Sequence, residues 1–111
     1  MQLFVYGTLM APDLVRSLTG RSFETEPARL CGFRRIHRAG SYAYILPSQG
    51  DSVDGALLRG LGADDLRALD RYEGEGDLYL RVEVVAETAR GECPCTTYVA
   101  NSTALDRLKI T

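Results

Sequence analysis

Tryptophan is absent from this 111-residue chain, histidine occurs once and cysteine three times. His37 with Cys31, Cys93 and Cys95 makes a poor supply of ligands for a four-coordinate zinc site. Cys93-Pro94-Cys95 also holds one residue between its thiols, where zinc knuckles and redox motifs usually hold two. An odd, low cysteine count argues against a disulfide framework. The three thiols are therefore expected to be structural or incidental, binding no metal and forming no required disulfide. Nucleophilic triads are equally ill supplied, because nothing sets His37 beside Ser41, Ser48 or Cys31. The chain also lacks a basic excess. Thirteen Lys and Arg stand against fifteen Asp and Glu, a net charge of −2, which argues against a nucleic-acid partner. The local cluster of Arg34, Arg35, His37 and Arg38 reads as a solvated face or an anion contact. No apolar run approaches the roughly 20 residues that span a bilayer, so no membrane partner is expected. The opening Met-Gln-Leu-Phe-Val-Tyr lacks the basic start and long apolar stretch of a signal peptide. It is expected to be the first strand of the fold, with a cytoplasmic location as the default.

What is present is ordinary for one globular domain spanning residues 1–111. Hydrophobic residues make up 45% and charged residues 25%, and a chain of this length supports one core but not two. Residues 2–6 are β-formers ended by Gly7. Pro12 opens a short helix over 12–18, with Asp13 in its first turn and Gly20 as its stop. Residues 22–33 read as a strand bending at Gly32. Residues 42–46 read as another, stopped by Pro47, with Ser48-Gln49-Gly50-Asp51 as a turn. A strand over 53–59 contains Gly55, which signals a bulge or a close approach to the backbone. Residues 63–73 form a helix with Asp64 and Asp65 at its positive end and Gly74 as its cap. Strands over 78–87 and 95–100 follow, and the tail from Asn101 is expected to be loosely ordered. Six or so short strands with two helices imply an α+β fold, a small mixed curled sheet or β-barrel with short peripheral helices.

Glu73 breaks the local rules. Helical spacing sets it on the face of Leu66 and Leu69, which must pack inward. A carboxylate sent in that direction must be paired, protonated or in a wet pocket. Its place in the last turn also opposes the helix dipole. Both effects raise its pKa, as a general acid/base working near neutral pH requires. The bland alternative is a helix-end side chain turned to solvent. Tyr6-Gly7-Thr8-Leu9 is similarly double. Its backbone N–H groups suit an oxyanion or carboxylate, yet many strand-to-helix turns bind nothing. Of the six tyrosines, Tyr6 and Tyr79 are assigned to a pocket and the rest to core or rim.

Taken together these segments carry more than either does alone. Phe4-Val5-Tyr6-Gly7-Thr8-Leu9-Met10-Ala11-Pro12, Val53-Asp54-Gly55-Ala56-Leu57-Leu58 and Leu69-Asp70-Arg71-Tyr72-Glu73-Gly74, with Leu78-Tyr79-Leu80-Arg81-Val82 after it, resemble the motifs of the γ-glutamylcyclotransferase-like superfamily in order and spacing. The first is most similar to the AIG2-like branch, and the resemblance runs from about residue 3 to 99. It implies a small mixed barrel and an acyltransferase-type intramolecular aminolysis. The α-amine of a γ-glutamyl small-molecule substrate attacks its own γ-carbonyl to give 5-oxoproline and a free amine, with no cofactor. Glu73 matches the family's catalytic glutamate, and Tyr6, Gly7, Thr8 and Leu9 match its substrate-binding loop. The competing expectations are a non-catalytic small-ligand binding or regulatory module on the same pocket, and another acyl-group transferase. The particular γ-glutamyl compound, the group that binds its α-carboxylate and the oligomeric state are not legible at this level.

Overall fold

The computed structural model describes residues 1–36, 43–73 and 79–101. Outside them lie His37, Arg38, Ser41, Tyr42, the Gly74 cap, Leu78 and the tail from residue 102, so the expectations placed there go unaddressed. Five strands occur among the described residues: β1 (Leu3–Val5), β2 (Glu24–Ile36), β3 (Tyr44–Arg59), β4 (Tyr79–Thr88) and β5 (Gly91–Ala100). A single 3-10 turn over Thr8–Met10 and two helices, α1 (Pro12–Thr19) and α2 (Ala63–Glu73), accompany them.

The strands close into a barrel in the order β1-β3-β2-β4-β5. β1 is the short stave that closes it, antiparallel to β3 and parallel to β5. Thr96 donates its N–H to the Gln2 carbonyl at 3.1 Å, and the Thr97 hydroxyl donates to the Phe4 carbonyl at 2.9 Å. Strand 2–6 is thus paired on both sides, and its residues 3–6 are buried on both faces.

The strand count was expected to be six or so because the segments over 42–46 and 53–59 were read as separate. The described strand residues of the first, from Tyr44, and the whole of the second are the two ends of β3, and both pair with β2. Pro47 does not stop the strand; it pairs with Phe33 inside the ladder. The register changes between Cys31, opposite Ser52, and Phe33, opposite Pro47. The expected turn residues 48–51 form the extra length, with the Ser48 hydroxyl donating to Asp51. Gly32 sits at the break with φ +86°, so the expected bend lies there as a bulge that re-aims the end of β2. The last strand starts four residues earlier than expected, at Gly91.

Gly55 is required by a close approach. A Cβ built on it would lie 2.2 Å from the Val5 carbonyl oxygen and 2.8 Å from Phe4 Cζ. β1 can therefore lie against β3 at this point only because the facing residue has no side chain.

Two apolar clusters hold the molecule together. One draws on strand residues, among them Phe4, Leu30, Ile45, Val53, Leu57 and Ala86, and fills the barrel. In the other, Val15 of α1 and Leu66 and Leu69 of α2 pack against Leu3, Val5 and Leu58. β1 serves both by alternation, sending Phe4 into the first and Leu3 and Val5 into the second. α2 is started by Asp65, whose carboxylate accepts the Gly62 N–H at 2.8 Å and the Arg21 guanidinium at 2.6 Å while 95% shielded from solvent. That cap sets the phase of the helix and hence the direction of its last turn.

Candidate active site

β1 leads into Tyr6 and then into the tight turn over Thr8–Met10, in which Met10 donates to the Gly7 carbonyl at 3.0 Å and Ala11 to the Thr8 carbonyl at 3.1 Å. The first N–H groups of such a turn have no carbonyl behind them. Those of Thr8 and Leu9 accordingly have no acceptor among the described residues. Both residues line a cavity of about 350 Å³. Opposite in sequence, but on the same cavity, Glu73 closes α2.

All six residues picked out from the sequence, Tyr6, Gly7, Thr8, Leu9, Glu73 and Tyr79, line this one cavity. The spacing argument for Glu73 holds geometrically. Leu66 and Leu69 are buried, and the next inward position places a carboxyl at the pocket rather than in the apolar core. Burial pushes that carboxyl up from 4.5 to about 7. A group so placed exchanges a proton readily at neutral pH.

The tyrosines build walls. The Tyr6 hydroxyl donates to the Tyr98 carbonyl at 2.6 Å and the Tyr79 hydroxyl to the Ala43 carbonyl at 2.9 Å. Burial first, then the charges of Tyr79 and Glu73, keep the Tyr6 phenol well above its ordinary range. It stays neutral and acts as a strut between β1 and β5. At the rim, the Thr8 and Tyr72 hydroxyls meet at 3.0 Å, linking the turn to the last turn of α2.

Sequence reasoning missed two features. Asp70, one turn before Glu73, accepts the Tyr98 hydroxyl at 2.6 Å and the Arg81 guanidinium at 2.9 Å. This network ties α2 to β4 and β5 and holds the end of the helix over the cavity. Its signal was the position of Asp70 on the inward face of α2, beside Leu66 and Leu69. Arg35 also lines the cavity; the basic run that contains it was noted, but nothing in the sequence aimed this residue inward.

A family model described as gamma-glutamyl cyclotransferase, AIG2-like, matches residues 3–110. AIG2-like protein A of Arabidopsis thaliana is 34% identical over 98 residues, covering 87% of this chain and 59% of that protein. The chain spans about half to three fifths of the length of the curated relatives it matches. A solution structure of an Arabidopsis thaliana protein superposes with a TM-score of 0.80 at 29% identity, covering 97% of this chain and 81% of the other. A structure described as gamma-glutamyl cyclotransferase superposes at 0.73 with 22% identity, covering 91% and 66%; at that identity the likeness is one of fold.

Proposed function

The chain belongs to the gamma-glutamyl cyclotransferase, AIG2-like family, and from that premise we propose that it cyclises a γ-glutamyl amide, releasing 5-oxoproline and an amine, with Glu73 as the acid/base. The observation that carries the reading is a half-buried carboxyl, raised towards neutrality, on the same cavity as Thr8 and Leu9, whose backbone N–H groups have no acceptor among the described residues.

The steps close on the substrate and this carboxyl. The substrate's α-ammonium gives a proton to the Glu73 carboxylate. The freed amine attacks the γ-carbonyl carbon, forming the ring C–N bond and pushing charge onto the carbonyl oxygen. The N–H groups of Thr8 and Leu9 receive that oxyanion; one such donor contributes roughly 2.7–4 kcal/mol in other acyl-transfer sites. Collapse of the tetrahedral intermediate breaks the bond to the leaving nitrogen as Glu73 returns its proton there, and the second proton on the ring nitrogen passes to the released amine, which leaves as an ammonium. Much of the gain comes from folding the γ-glutamyl chain into its cyclising shape against the walls that Tyr6, Tyr79 and Tyr98 hold rigid.

The test is a panel of γ-glutamyl compounds, both amino-acid and amine adducts, assayed for 5-oxoproline. Release from at least one member is expected. No release from any, with ligand binding retained, would assign the cavity to a binding module instead.

A further inference from the structure

We infer that Tyr72 is a positioning residue: its hydroxyl bond to Thr8 holds the last turn of α2 against the turn after β1, and so fixes where Glu73 stands relative to Thr8 and Leu9. This rests on the reading of Glu73 as the acid/base proposed above and concerns what keeps that acid in place.

The hold on α2 weakens along its length. Asp65, Leu66 and Leu69 are buried. Asp70 is fastened by the Tyr98 hydroxyl at 2.6 Å and the Arg81 guanidinium at 2.9 Å. Three residues of the helix remain, Arg71, Tyr72 and Glu73, and they lie where helices fray. Arg71 and Tyr72 are exposed and Glu73 is half-buried. Among the described residues, the side chains of these three make one hydrogen bond, between the Tyr72 and Thr8 hydroxyls at 3.0 Å and 64 positions apart in the chain.

That bond joins the two halves of the candidate site. Thr8 opens the 3-10 turn, whose Leu9 is buried, and its own backbone N–H is one of the two without an acceptor among the described residues. Tyr72 is the residue before the acid. The contact therefore lies one residue from Glu73 on one side and within Thr8 itself on the other. It is exposed, so both hydroxyls can bond water when parted, and it adds little to the stability of the fold. What it supplies is geometry, and a displacement of about 1 Å at a reacting group can cost on the order of 100-fold in rate. With the bond cut, the last turn of α2 is free to move Glu73 towards water, out of the surroundings that bury it.

Tyr72→Phe removes one hydroxyl and keeps the ring. Thr8→Val removes the other and keeps the backbone N–H. The first readout needs no turnover: the titration of the Glu73 carboxyl, followed by NMR in glutamate-labelled protein and assigned by its loss in Glu73→Gln. The titratable and charged groups that share the cavity with Glu73 are Tyr6 at the end of β1, Arg35 of β2, Tyr79 of β4 and Tyr98 of β5. Phenols and a guanidinium do not change charge near neutrality, so a step there belongs to Glu73. The wild-type midpoint should lie near 7, and Tyr72→Phe should bring it down by roughly one unit as the carboxyl gains water. The melting temperature at pH 5 should stay within about 2 °C of the wild type. On a γ-glutamyl compound that the wild type cyclises, kcat should fall roughly tenfold with KM unchanged, the pattern of an acid out of place rather than a lost substrate contact. Thr8→Val should do the same, and the double variant should lose no more than either single one, because both remove one bond.

A midpoint that does not move in Tyr72→Phe overturns the assignment. So does an unchanged kcat, a change confined to KM, or losses that add in the double variant, since the hydroxyls would then act separately. The two readings fail apart. If the wild type releases no 5-oxoproline from any γ-glutamyl compound, cyclisation falls, and the NMR midpoint alone still decides whether Tyr72 holds Glu73. If the wild type cyclises and Tyr72→Phe matches it in rate and midpoint, cyclisation stands and the role of Tyr72 is refuted.

Discussion

Replacing Glu73 with Gln removes a charge from a place where the fold holds it at a cost. Raising a carboxyl from 4.5 to about 7 corresponds to roughly 3.4 kcal/mol, at about 1.36 kcal/mol for each tenfold change in proton affinity. Glu73 keeps some access to solvent, and screening brings this to about 2 kcal/mol. The sign follows from which state holds the proton. Below pH 4.5 both folded and unfolded chains carry it and the cost is nil. Between 4.5 and about 7 the unfolded chain has released it while the folded chain retains it, so wild-type stability falls as pH rises. Above about 7 the full cost is present. Glu73→Gln is free of this dependence. It should melt close to the wild type at pH 5 and roughly 8 °C above it at pH 8.5. Cyclisation by the same preparation should fall by roughly 10²–10⁴-fold, as expected on losing a positioned acid/base. In the wild type, kcat/KM should rise with pH through about 7, because only the charged carboxyl accepts the substrate's proton. The assays are thermal melts at the two pH values and 5-oxoproline release. A variant that melts lower at pH 8.5, or whose melting shift is the same at both pH values, would refute the claim that Glu73 is strained by burial. Full activity would refute its role as acid/base.

Three further outcomes are expected. Gly55→Ala should cost at least about 1–3 kcal/mol in a urea melt, because the new methyl must displace the Val5 carbonyl and with it the strand that leads into the site; unchanged stability would contradict the close packing of β1 on β3. Tyr6→Phe should cost roughly 1–2 kcal/mol by leaving the Tyr98 carbonyl without its donor, and a neutral result would show that this strut is dispensable. With a thiol-reactive dye, exposed Cys31 should react well ahead of buried Cys93 and Cys95, the latter held at about 11 chiefly by burial. Three equal rates, or stoichiometric zinc in the purified protein, would contradict the reading of these cysteines as structural.

Local chemistry was legible wherever one segment decides its own state. α2 runs over 63–73 as its periodicity and acidic start require, and α1 differs from its expected span by one residue, because capping and helical spacing act within a few residues. The inward aim of Glu73 followed from the same spacing. The Gly55 signal was right in kind, a close approach, although its partner, the Val5 carbonyl some fifty residues earlier, could not be named. β3 was split in two because Pro47 and the turn residues 48–51 are local stop signals. The partner strand overrides them by pairing on both sides of the bulge, a contact that no local pattern encodes.

Chain order, spacing and residue type were enough to mark the acid, the donor turn and their family resemblance. Whether that acid and that turn share a cavity was decided by barrel closure, which brings β1 beside β5 and sets the end of α2 over both. The Asp70 network likewise depended on three elements meeting. Such facts rest on contacts between residues distant in sequence, whose geometry is set by packing the whole core at once rather than by the propensities of any one segment.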